Sequence, residues 1–148
     1  ADVNSIAHAH PMYGKTFSTL GKMLKPISQD SCAFYERTAI FSDYDGVANG
    51  PDEGINIAKA LGDKEFCILQ NHGILTTGSM VDTAVWYFLN MEDACKSQLL
   101  AEAVDEPKII PHETACATRD YVANDLSAYV SFQPTIDVLW EEEPDLLD

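Results

Sequence analysis

No stretch of this 148-residue chain approaches the ~18 consecutive apolar residues that a membrane-spanning helix needs. Ala1 to His10 also lacks the apolar centre of a secretory signal. The sequence therefore reads as a soluble protein without a membrane partner. Basic residues are scarce. Nine Lys and Arg stand against 24 Asp and Glu, for a formal net charge of −15. Nucleic-acid phosphates demand a basic surface, so non-specific nucleic-acid binding is excluded, and an anionic lipid surface would repel the chain. The four cysteines, Cys32, Cys67, Cys95 and Cys116, form no CxxC pair. Cys67 and Cys95 lie in apolar runs and read as small buried hydrophobes, which favours a reducing, cytoplasmic setting. Internal repeats and low-complexity segments are missing. With 46% hydrophobic residues, the chain can bury the core of one globular domain spanning residues 1–148.

Against this background the histidines stand out. There are four, and three fall in an informative pattern: His8, His10 and, sixty-two positions later (72 minus 10), His72 in the run Gln70-Asn71-His72-Gly73. Residues i and i+2 of a strand share a face with Cα atoms ~6.5 Å apart, so His8 and His10 can close on one ion from one extended segment. Val3 to Ala7 is short and partly β-branched, as a strand leading into the pair should be. His72 follows the apolar run Phe66-Cys67-Ile68-Leu69 and precedes Gly73, where a strand stops and the backbone turns. Three protein nitrogens would leave a fourth position open, the pattern of a catalytic zinc site. Spacing alone is also compatible with hydrogen-bonded histidines that hold no ion. His112 is a further candidate ligand, without a partner at ligand spacing.

Local signals supply a set of elements. Met12 to Leu20 reads as a short helix opened by Pro11 and closed by Gly21. It either directs free N–H groups toward the histidines, favouring an anion there, or is a punctuated connector. Thr38-Ala39-Ile40-Phe41 reads as a strand, with an acidic surface turn at Asp43 to Gly46. Pro51 to about Leu61 reads as a helix ended by Gly62. Phe66–Leu69 and Ile74–Thr77 read as strands on either side of His72. Ser79 and Asp82 suggest a capping box for a long helix over about 80–104. Its apolar stripe is traced by Val81, Val85, Phe88, Cys95, Leu99 and Ala103, with Ala84 and Met91 beside them. Trp86, Tyr87 and Tyr121 read as packing residues. Pro107 and Pro111 mark a linker, Pro111-His112-Glu113 reads as the opening of another helix, and Glu141 to Asp145 is a solvated, fraying acidic tail. Alternating strands and helices point to an α/β domain.

Taken together, His8-Ala-His-Pro-Met-Tyr-Gly-Lys-Thr-Phe-Ser-Thr-Leu-Gly21, Gln29-Asp-Ser-Cys-Ala-Phe-Tyr35 and Ile68-Leu-Gln-Asn-His-Gly-Ile-Leu-Thr-Thr-Gly78 resemble the class II aldolase/adducin family. The likeness is closest to its eukaryotic, adducin-related branch, reaches Phe132-Gln133-Pro134, and covers the C-terminal two thirds of such a domain. It implies a three-layer α/β/α sandwich with a mostly antiparallel central sheet. It also implies a homotetramer and a zinc ion held by an HxH pair and the histidine of an NHG run, here His8, His10 and His72. Metal-dependent members place an acidic acid/base residue and phosphate-holding turns upstream of the HxH strand. This sequence starts seven residues before His8, so an N-terminally incomplete domain is the expectation.

The function that the resemblance implies is a zinc-dependent lyase. An enolate would be stabilised on the metal during carbon–carbon bond cleavage, or a related dehydration, epimerisation or decarboxylation, of a small hydroxy-carbonyl substrate. Lys15, Lys22 and Lys25 are the basic residues available to a negatively charged substrate. For the proton shuttle, Tyr13 and Asp30 are the nearest candidates by sequence. Asp30 reads equally as a helix cap and Tyr13 as a packing residue. The competing class is a non-catalytic, adducin-like interaction protein that keeps the histidines. A third reading makes this chain the metal half of a site completed by another segment.

Overall fold

The structure, a computed structural model, describes residues 3–43 and 51–147. Among the described residues, four strands and five helices follow in the order β1 (Ser5–Ala9), α1 (Met12–Ser18), a 3-10 turn (Asp30–Phe34), β2 (Thr38–Phe41), α2 (Pro51–Leu61), β3 (Phe66–Leu69), β4 (Gly73–Gly78), α3 (Val81–Glu102), α4 (His112–Val122) and α5 (Asp125–Glu142), with a closing 3-10 turn (Pro144–Leu147). The strands form one sheet in the order β1-β4-β3-β2. β1 and β3 both run antiparallel to β4, whereas β2 pairs parallel to β3. The sheet is thus mixed and mostly antiparallel, and the overall architecture is the implied α/β one.

Alternation along β3 explains the layers, because successive side chains of a strand point to opposite faces. Phe66 and Ile68 enter one core with Phe17, Phe34, Ile74, Tyr87, Met91, Ala94 and Cys95. Cys67 and Leu69 enter a second core with Ala39 and Phe41, covered by Ile57, Ala60 and Leu61 of α2. Helices therefore lie on both faces, with α1 and α3 on one and α2 on the other. Edge-to-face contacts of Phe66 with Phe34 and Tyr87, at centroid distances of 5.0 and 4.8 Å, anchor the larger core.

Several local expectations change. α3 starts at Val81 with Met80 as its N-cap and no side-chain capping bond, so the Ser79/Asp82 capping box does not form. Ser79 Oγ instead donates to Asp125 Oδ2 at 2.6 Å, and Asp82 accepts from Gln133 at 3.2 Å. Both polar side chains tie α3 to α5. The buried stripe of α3 is also rotated: Thr83, Ala84, Tyr87, Met91, Ala94, Cys95 and Gln98 are buried, while Val81 is 67% exposed. Apolarity alone missed Gln98 because its amide is satisfied, accepting from Lys25 N–H at 2.8 Å and donating to Glu102 at 3.0 Å. Tyr121 is 82% exposed and is not a packing residue, whereas Trp86 and Tyr87 do pack on the core. Glu141 and Glu142 are exposed but belong to the last turn of α5. Beyond Asp43, the acidic turn at Asp43 to Gly46 lies outside the described residues.

The core thiols carry a pH signature. Burial pushes Cys67 up to about 11 and Cys95 up to about 12. Both folded values exceed the ordinary thiol value, so the unfolded chain loses these protons first. Their contribution to stability is whole below about pH 9 and is lost as pH rises toward 11–12. Urea melts at pH 8 and pH 10.5 should show the alkaline midpoint fall, and Cys67→Ala plus Cys95→Ala should flatten that dependence.

Candidate metal centre

β1 delivers His8 from the strand and His10 one residue beyond its end. His8 pairs in register with Leu75, on the sheet face covered by α2. Its Nδ1 lies 2.9 Å from the Ile74 carbonyl oxygen, which can only accept. Nδ1 therefore carries the proton, and Nε2 presents its lone pair outward.

The third imidazole is placed by the β3–β4 turn. Asn71 sits in the left-handed region at φ 58°, which a short polar side chain tolerates, and the His72 N–H closes the turn on the Leu69 carbonyl at 3.0 Å. Gly73 is needed for a different reason: a Cβ there would lie 2.5 Å from the Ala9 carbonyl oxygen and 3.2 Å from His10 Cδ2. Only a residue without a side chain lets β4 approach β1 closely enough for His10 and His72 to meet.

Ring centroids are separated by 5.2 Å (His8–His10), 5.0 Å (His8–His72) and 4.5 Å (His10–His72). One nitrogen from each ring lies within 4.8 Å of the others. Burial and the two neighbouring imidazoles hold the His72 pKa below its ordinary value, with the Glu53 carboxylate acting in opposition. A neutral imidazole is the ligating form, so this electrostatic environment suits a cation. The set fits a divalent transition ion: three nitrogens, one with a fixed tautomer, beside a cleft of about 440 Å³ lined by His10, Lys15, Thr16, Thr19, Asn71 and His72.

Other expectations divide. Lys15 lines the cleft, while Lys25 is held by Glu102 at 2.7 Å, away from the imidazoles. Lys22 is exposed and acts on the same Glu102. Tyr13 is the second residue of α1, with its N–H donating to Glu92 and its ring 5.2 Å from Lys96 Nζ. Asp30 is exposed at the start of the 3-10 turn and caps nothing, since Gln29 holds the cap position. Its carboxylate is not grouped with the three imidazoles. His112 is not grouped with them either; it sits with Glu36 and Cys116, the latter four residues along the same helix. The free N–H groups of Tyr13 and Gly14 do not await an anion, because the Glu92 carboxylate from α3 accepts both. Glu92 and Glu53 had no sequence signal, since each reaches the site only through tertiary packing.

Comparison with known proteins is consistent with this geometry. The profile described as the class II aldolase and adducin N-terminal domain matches residues 1–99. Decarboxylase NovR of Streptomyces niveus is 37% identical over 145 residues, covering 98% of this chain and 54% of its own length. The 4-hydroxy-3-prenylphenylpyruvate oxygenase/4-hydroxy-3-prenylbenzoate synthase of Streptomyces roseochromogenus subsp. oscitans is also 37% identical, covering 98% of this chain and 52% of its own. Among solved structures, L-fuculose 1-phosphate aldolase from Glaciozyma antarctica PI12 superposes with a TM-score of 0.86 at 38% identity, over 97% of this chain and 54% of that one. This chain thus spans about half the length of the relatives it matches. By profile, sequence and fold, it belongs to the class II aldolase/adducin family.

Proposed function

We propose that the chain contributes the metal-binding part of a divalent-metal-dependent lyase of the class II aldolase type, acting on a small hydroxy-carbonyl substrate. The observation that carries this reading is the meeting of His8, His10 and His72 within one ligand shell. Relatives named as a decarboxylase and as an aldolase support enzymatic chemistry. Zinc is the preferred ion because imidazole donors suit it. When bound, it would supply Lewis-acid stabilisation of negative charge developing on a carbonyl oxygen.

The remaining work falls to the protein. Lys15 gives the cleft a positive charge in a chain of net charge −15, which draws an anionic substrate to the imidazoles. The hydroxyls of Thr16 and Thr19 already donate to the carbonyls of Met12 and Thr16, so their oxygens accept from substrate hydroxyls. Tyr13 and Asp30 are the candidates for moving the proton. The reading includes assembly into a homo-oligomer, a tetramer by the family resemblance, for which the exposed Tyr129, Val130, Val138 and Trp140 of α5 offer apolar surface. The four free cysteines accord with a cytoplasmic setting.

The test is metal analysis of the purified protein with retro-aldol and decarboxylase assays before and after chelation. We expect bound zinc and an activity that disappears with the metal and returns on its readdition. Activity indifferent to chelation overturns the proposal. Bound zinc without turnover transfers support to a non-catalytic, adducin-like role.

A further inference from the structure

We propose a second divalent-cation site, formed by Glu36, His112 and Cys116, that fastens α4 to the body of the domain. His112 and Cys116 stand four apart on α4 and therefore share one helical face. Both His112 ring nitrogens lie 3.8 Å from Cys116 Sγ. Glu36 closes the triangle, with Oε2 3.8 Å from Sγ and Oε1 3.8 Å from His112 Nδ1. Tetrahedral zinc with ordinary metal–ligand lengths puts such donors ~3.4–3.6 Å apart, so contraction by a few tenths of an ångström completes the shell. Thiolate, imidazole and carboxylate together match zinc, and the exposed position leaves a fourth place for water.

Two further observations favour a built site. Glu36 is held at φ 61°, a left-handed conformation that a glutamate seldom adopts and that costs of order 1 kcal/mol or more. The Tyr35 hydroxyl lies 3.2 Å from His112 Nδ1; with that nitrogen held by its orienting partner, Nε2, 3.8 Å from Cys116 Sγ, is the ligating atom. Arg119 Nη1, 3.4 Å from Glu36 Oε2, offsets part of the cluster's negative charge. With carboxylate and thiolate both charged, the cluster including Arg119 keeps a net charge of about −1, attractive to a divalent ion.

The site also answers a packing problem. α4 is 11 residues long, contributes only Ala115 to the fully buried interior, and follows the segment 103–111, which lacks helix and strand. Helices this short are marginal without tertiary support. A cation joining the His112 and Cys116 face to Glu36 would provide that support about a quarter-turn around the helix from the apolar contact at Ala115.

Cobalt substitution tests the assignment independently of the imidazole cluster, which has no sulfur. Wild type titrated with Co²⁺ should show a thiolate-to-cobalt charge-transfer band that His72→Ala retains and Cys116→Ser abolishes. Zinc at ten times its dissociation constant should slow hydrogen exchange across 112–122 about tenfold in wild type and leave Cys116→Ser unchanged. Absence of the band at saturating cobalt, its persistence in Cys116→Ser, or α4 exchange indifferent to zinc each overturns the proposal. Because the exposed His112→Ala variant removes a different donor, its loss of the same band separates ligation from a general effect of the cysteine change.

Discussion

Replacing His72 with alanine should eliminate stoichiometric zinc and lower lyase kcat/KM by at least ~10³, equivalent to ~4 kcal/mol of transition-state stabilisation at 1.36 kcal/mol per decade. The size follows from the ligand count. Two imidazoles from one extended segment are a flexible chelate, and losing the third opens one whole side of the ion. His72 occupies a turn, is half-buried, and anchors that turn through its backbone N–H, which alanine retains. The metal-free variant should therefore melt close to metal-free wild type, within about 0.5 kcal/mol of stability. Calorimetry on apo proteins, together with metal analysis, checks both halves. Full activity in a zinc-depleted His72→Ala protein would remove the imidazole cluster from the mechanism.

Gly73→Ala should produce a large effect on stability and metal binding together. The added Cβ would meet the Ala9 carbonyl oxygen at 2.5 Å, a distance backbone atoms cannot tolerate, so β1 and β4 must separate at this end. Overpacking of this kind costs ~1–3 kcal/mol, and the same displacement moves His10 from His72. Denaturation midpoints should fall accordingly, with zinc affinity weakened at least about tenfold, because a ligand misplaced by even half an ångström leaves the productive geometry. An alanine variant with wild-type stability and zinc affinity would show that β1 accommodates the methyl group at no cost, contrary to the close approach described above.

Much of this arrangement could be read from residue order, and the exceptions share a cause. The strands at Thr38–Phe41 and Phe66–Leu69 and the helix from Pro51 appear where β-branched runs and helix-end residues put them. These signals act over a few neighbouring residues. The meeting of His8, His10 and His72 was legible because strand alternation fixes two and a turn fixes the third. Glu92 was illegible, since its two bonds to the start of α1 span 79 and 78 positions. The rotation of the α3 stripe was missed because a satisfied glutamine buries as readily as a leucine. Gly73 was visible as a turn signal, but its function is clearance and the left-handed residue is Asn71. For His112, helix periodicity would have revealed Cys116 as a neighbour, whereas Glu36 arrives only through the fold.

The pairing of β1 with β4 has a consequence for biosynthesis. Ala9 leaves the ribosome well before Gly78, and at ~5–20 residues per second the first strand waits several seconds for β4, its one strand partner among the described residues. During that interval an apolar ribbon would invite pairing with another nascent chain. Asn4, Ser5, His8 and His10 keep this one polar, so the residues that later gather the ion also guard the chain while it is being made.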